Sequence, residues 1–156
     1  MISTPLTRRT FAFLLAGCFL AAGCSRGPQT AAELFDRMPR RYRGELRLQG
    51  ETGTRTLGVE LLDLSVRDEH RLAFGRIAYE TDGGDEGRQR GEAPVRGTIS
   101  APGGEVRIED AGGVGGGDAL KAGSFEGKLS ADLEGVEAKW KTGYDQAVGY
   151  HGKAAR

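Results

Sequence analysis

Few residues in this chain have the types and spacing that chemistry requires. The histidines are His70 and His151, and neither has a cysteine or a paired carboxylate at ligand spacing; a zinc site takes three or four such ligands. His70 closes the polar stretch Asp68-Glu69-His70, which reads as a turn. Asp82, Asp85 and Glu86 stand in a Gly-rich stretch but lack the alternate oxygens and late Glu of a calcium loop. The glycines of 112–117 lack the Lys-Ser/Thr ending of a phosphate loop and the spacing of a dinucleotide loop. Ser124 and Ser130 have no base in the same pattern, and there is no Gly-x-Ser-x-Gly elbow. The expectation is a protein that is not an enzyme and that carries no metal and no cofactor. One residue remains: Cys24, a thiol directly after Leu20-Ala21-Ala22-Gly23.

The segment before Cys24 explains that thiol. Thr7-Arg8-Arg9-Thr10-Phe11 opens an apolar run that continues to Gly23. A short basic region, an apolar core and small residues before a cut site are the parts of a secretory signal. The run holds 13 residues, against the roughly 20 that a permanent spanning helix needs.

On these residues the N-terminus resembles a bacterial lipoprotein signal. In that family the lipobox cysteine is acylated and becomes the first residue of the mature chain, which implies a palmitate-type anchor on Cys24. Cys18, after Leu15-Ala16-Gly17, is the alternative lipobox; cutting there would shorten the apolar core and expose Phe19-Leu20. Thr7, Arg8, Arg9 and Phe11 also resemble the twin-arginine export motif, with Ala12 and Phe13 where Leu and Lys are usual, so both export routes stay open. Ser25 resembles the outer-membrane default of lipoprotein sorting. The resemblance thus implies a lipid-anchored protein of the bacterial cell envelope facing the periplasm, at the outer membrane rather than the inner.

The organisation expected is a signal peptide over 1–23, a tether with a short helix over 24–40, and a β domain over 41–156. Residues 24–156 are 133 in number, one ordinary domain. Cys18 leaves with the signal and Cys24 takes lipid, so no disulfide remains and stability must come from an apolar core. Removing Arg8 and Arg9 leaves 20 basic against 22 acidic residues, a balance that argues against nucleic acid as a partner.

Thr30-Ala31-Ala32-Glu33 has capping-box spacing and predicts a helix over about 31–38, ending before Pro39. Arg37, Arg40, Arg41, Arg43 and Arg47 then crowd a short span, either drawn to anionic headgroups near the anchor or forming the wet face of a strand. From Tyr42 the pattern has period two, with Gly44, Leu46 and Leu48 on the same face. Leu57, Val59 and Leu61 continue it, but Leu62, Leu64 and Val66 fall in the opposite phase, so the chain must bulge or bend near Leu61-Leu62. Leu72 and Phe74 against Ile77 and Tyr79 mark a second break around Gly75. Residues 82–92 read as a long charged connection and 111–122 as a flexible glycine loop. Short strands are expected around Val95 to Ile99 and Val106 to Ile108, a hairpin over 125–141 turning at Glu134-Gly135, and a last strand over 147–153.

Eight half-buried strands in series, with glycines inside them, predict an all-β fold: a small antiparallel eight-stranded meander barrel, with a β-sandwich as the alternative. The alternation ending in Phe125-x-Gly127-x-Leu129 and Ala138-x-Trp140 loosely resembles lipocalin- and avidin-like domains. Phe74, Phe125 and Trp140 are the residues expected to line the interior, either filling it or surrounding one small ligand. Two functions follow: a non-catalytic module engaging an envelope protein or polymer through 82–93 and 111–122, or a lipocalin-like binder of a small apolar ligand. The membrane, through the N-terminal lipid, is a partner in both.

Overall fold

The computed structural model describes residues 26–47, 53–82, 87–109, 123–142 and 147–156. Arg8, Arg9, Cys18 and Cys24, the residues expected to form the export signal and lipidation site, lie outside them, as do Asp85, Glu86 and the 112–117 glycines. The elements are α1 (Ala31–Arg37), β1 (Arg41–Arg47), β2 (Thr54–Leu62), β3 (Ser65–Val66), β4 (Arg71–Asp82), β5 (Gln89–Ser100), β6 (Glu105–Glu109), β7 (Gly123–Leu129), β8 (Gly135–Thr142) and β9 (Ala147–Ala154).

All pairings are antiparallel. β2 pairs with β1 and β4, β4 with β5, and the meander runs on through β6, β7, β8 and β9, which pairs back on β1. Eight strands thus close on themselves and leave no edge in the main ring; the two-residue β3 rides on β4 as a ninth. The expected barrel is the observed one, and the sandwich alternative is set aside.

The predicted phase breaks have separate causes. At Gly75 the register of β4 on β5 shifts between Phe74 and Arg76. β5 keeps one alternation, with Ala93, Val95, Gly97 and Ile99 buried, whereas in β4 burial moves from Leu72 and Phe74 to Ile77 and Thr81. Near Leu61-Leu62 the strand instead ends: Asp63 takes φ 54°, and β3 begins two residues later. This is a bend between two strands, and Val66 beyond it is exposed.

Two connections have other bounds than the pattern suggests, one shorter and one longer. β4 runs to Asp82 and β5 starts at Gln89, so both ends of the 82–92 stretch are strand, with Ala93 buried just beyond. Charge and glycine there describe a wet strand face, which the ladder to β4 supports whatever its composition. In the later hairpin the turn begins at Ser130. Leu133 points inward from it at φ 65°, and Ala131 is exposed.

One end of the barrel is closed. There the 63–70, 101–104 and 130–134 connections gather, and α1 joins the first of them. Ala31 N donates to Glu69 O (2.8 Å), Ala101 N to His70 O (2.7 Å), Leu129 N to Gly104 O (2.8 Å) and Ala154 N to Glu134 O (2.7 Å). Thr30 caps α1 by accepting from Glu33 N, and the Glu33 carboxylate accepts from Gln29 N (2.8 Å), one residue before the N-cap N–H that a capping box would use. Ala31 and Leu34 are fully buried and Met38 nearly so; all three belong to the barrel's core cluster. The helix is therefore a plug of the β domain rather than part of a tether.

Candidate functional site

The interior was the first candidate. Inward residues from all eight strands surround a residual cavity of ≈ 50 Å³, bounded by side chains such as Leu46, Leu57, Ile99, Phe125 and Val136 together with the rings of Tyr42 and Tyr150. Pockets that hold drug-sized ligands run to roughly 300 Å³ and more, and even a cavity that accepts benzene measures about 150 Å³. Both phenols are spent inside the fold. Tyr42 donates to Leu133 O (3.0 Å) and Tyr150 to Leu57 O (3.1 Å), so the cavity wall offers a ligand no free hydroxyl from either.

Of the three residues expected to line the interior, Phe125 does, packing at a tilt 6.1 Å from the Tyr150 ring. Phe74 is buried but lies off the cavity, its ring laid over Gly97, its cross-strand partner. Tyr79 covers Gly91 in the same way. These aromatic-over-glycine pairs fill barrel volume and pin register. Trp140 pairs with Phe125 and Val148 in the ladder; its side chain lies outside the described residues.

Burial pushes both phenols above the ordinary tyrosine range, with the Glu134 charge adding to the effect at Tyr42. A raised native value means the folded state keeps protons that the unfolded chain releases near pH 10. Stability should then be untouched by these groups below about pH 10 and fall as pH rises beyond it. An alkaline titration followed by tyrosinate absorbance should show Tyr42 and Tyr150 ionising only together with loss of the β-sheet circular dichroism. Their ionisation in a still-folded barrel would contradict the buried hydrogen bonds.

The outer wall holds the better-built site. Register places Arg43, Gly58, Glu80 and Arg90 in one row across β1, β2, β4 and β5, and Arg41, Glu60, Ala78 and Glu92 in the next. Arg41 pairs with Glu60 (2.9 Å), and Arg76 bridges Asp63 (2.7 Å) and Glu92 (2.9 Å). Glu80 meets three guanidinium groups: Arg88 by hydrogen bonds, Arg90 at 3.2 Å and Arg43 at 4.0 Å. The Arg88 hydrogen bond, then the Arg88, Arg90 and Arg43 charges, hold its carboxyl below the usual range. Between these flanks the small residues Gly58 and Ala78 leave a shallow cleft of ≈ 560 Å³. A second groove of ≈ 500 Å³ lies over the Gly75 irregularity, with Ala73 and Thr98 among its walls and Arg67 and Arg107 beside them.

No protein-family model matches the chain, and no curated protein matches it. The chemistry of the site therefore rests on its own residues. Among the described residues, no group of three or more His, Cys, Asp or Glu side chains is close enough to hold a metal ion. His70 is exposed in its turn, with its N–H donating to Asp68. His151 is exposed on β9, 3.7 Å from Glu137. Ser130 bonds Asp132 and Gly135 within the β7–β8 turn, and Ser124 lies on β7.

Sequence reasoning recognised Arg41, Arg43 and Arg47 as a wet strand face, and they are exposed alternately with buried Tyr42 and Leu46. Arg40 instead lies over the Phe35 ring at 4.3 Å. What the sequence could not reveal was the convergence on Glu80. That depends on the register of four strands, and the arginines involved lie up to 47 positions apart. The available signal was the repetition Arg88-x-Arg90 opposite Glu80 across the β4–β5 hairpin.

Proposed function

We propose that this chain is a lipid-anchored bacterial envelope protein whose barrel is a non-catalytic interaction module for a protein or polymer partner. The single observation that favours this reading is the filled interior: ≈ 50 Å³ of apolar space against ≈ 560 Å³ in the charged outer cleft. A binding partner has more to engage outside than inside. The anchor is compatible with the fold. If Cys24 is the first residue, a single residue, Ser25, precedes Arg26, and Pro28 is already buried. The module would then sit close to the bilayer with its helix-closed end nearest the lipid. The connections after β1, β4, β6 and β8 leave from the opposite end.

Mass spectrometry tests both halves. The intact product extracted from membranes should begin at an acylated Cys24, and Cys24→Ser should abolish the modification. If Cys18→Ser abolishes it instead, the cut lies at the earlier cysteine. Native spectra of gently purified protein should carry no lipid-sized adduct. A stoichiometric one would replace the interaction module with a lipocalin-like carrier of a small apolar ligand.

A further inference from the structure

We propose that the residual cavity at the centre of the barrel is a binding site for a small uncharged gas of dioxygen size, for which xenon is the probe. The inference goes beyond the interaction-module reading and stands independently of it.

Volume and wall chemistry together select the ligand. The cavity measures ≈ 50 Å³ and its wall is wholly apolar. The polar side-chain atoms carried by its lining residues are the Tyr42 and Tyr150 hydroxyls, which donate to Leu133 O (3.0 Å) and Leu57 O (3.1 Å). A water molecule needs about 10–15 Å³ of room and two to four polar partners. This cavity has the room and not the partners, so it is dry. The same volume turns away larger apolar ligands, since a cavity that accepts benzene measures about 150 Å³. What fits is a molecule of a few heavy atoms that makes no hydrogen bond.

A dry void also leaves contacts unmade. Side chains that face it lack the dispersion partners that close packing supplies elsewhere in a core. A polarisable guest restores those contacts without displacing water. The rings of Tyr42, Phe125 and Tyr150 and the aliphatic groups of Leu46, Leu57 and Ile99 stand at the wall to make them. An entry side is visible as well. Among the lining residues, Val59 and Leu61 are half-buried and the rest are buried. Both stand on β2, so β2 is the wall that a gas crosses.

The test is methyl NMR of the full chain in mild detergent under rising pressures of xenon, with helium as the pressure control. Xenon should shift the methyl signals of Leu46, Leu57 and Ile99 saturably. It should leave those of Leu34 and Leu72, equally buried but off the cavity, where helium leaves them. Dioxygen, which is paramagnetic, should broaden the same cavity signals. Val106→Ile and Val136→Ile each add one methyl group to the space, from β6 and from β8. Both should abolish the xenon shifts with the β-sheet circular dichroism intact. Ile108→Val removes one methyl group from the wall and should tighten xenon binding several-fold. The proposal is overturned if no saturable shift appears, or if Leu34 and Leu72 respond as strongly as the cavity methyls. It is equally overturned if a folded Val106→Ile or Val136→Ile variant responds like the parent, if long-lived water is detected beside the cavity methyls, or if benzene binds there saturably. Should either filled variant fail to fold, the other and the parent's own pattern of shifts still decide. Absent xenon shifts remove this site and leave the interaction module standing, and a barrel that captures no partner leaves this site standing.

Discussion

Gly44→Ala should open the barrel. Gly44 sits opposite Gly152 in the β1–β9 ladder, the pairing that closes the ring. A Cβ at Gly44 would stand 1.8 Å from His151 O and 2.4 Å from the Gly152 Cα. Both are backbone atoms, so no rotamer change relieves the contact and one strand must move. Overpacking of this kind costs about 3 kcal/mol or more when the backbone itself has to yield. For a domain of this size that is a fall in Tm on the order of 10 °C. Gly149→Ala is the matched control. It lies in the same ladder, on β9 opposite Arg47 of β1, and a Cβ there meets nothing within 4 Å. Alanine should be neutral there or stabilise by up to about 1 kcal/mol, because glycine in a strand interior carries an entropy cost. Thermal melts of the two variants beside the parent decide the matter. A Gly44→Ala variant that melts with the parent would mean that β1 and β9 do not approach as closely as the seam requires.

The same glycines explain what was legible in the sequence. Period-two alternation is a local property, and it announced β1, β7 and β8 because each has one buried and one wet face. Glycine inside those strands pointed to curvature, and Gly44 and Gly97 are places where a side chain would collide. The break at Gly75 was visible because a phase change needs no partner to be seen. Strand ends were less legible. β4 runs to Asp82 because Thr81 pairs with Gln89 and Leu57, and such ladder bonds do not depend on the charge of the residues that form them. Leu133 was read as a strand residue because it is apolar and in phase. It is buried from a turn at φ 65°, where its carbonyl takes the Tyr42 hydroxyl.

The candidate site was harder to read than the fold for a related reason. Aromatic residues drew attention to the interior, since Phe74, Phe125 and Trp140 are what a ligand pocket would use. Volume decides whether such residues fill or surround, and volume depends on how Phe74 lies over Gly97 and Tyr79 over Gly91, two cross-strand pairings. The Glu80 cluster depends on still longer-range register. Charged residues on a wet strand face look alike in sequence whether they point at one another or at water.

Leu34→Ala carries the second large effect, and it separates two descriptions of the N-terminus. If residues up to 40 were a tether with an incidental helix, truncating one leucine would cost nothing. Leu34 is instead fully buried, and α1 meets β3 and β4 at the closed end. Removing a buried leucine side chain costs about 2–5 kcal/mol, the transfer of its atoms plus the cavity they leave. Leu34 has no exposed surface and shares the core cluster with Ala31 and Met38, so the loss should fall within that range. Asp36→Ala, exposed on the same helix, should change stability by no more than about 0.5 kcal/mol. Urea melts of the mature chain measure both. Equal midpoints for Leu34→Ala and Asp36→Ala would return the helix to the tether and leave the barrel end without its plug. A large loss confined to Leu34 means that the core begins within ten residues of Cys24. An anchor on that cysteine would then hold the folded domain against the membrane rather than let it swing free.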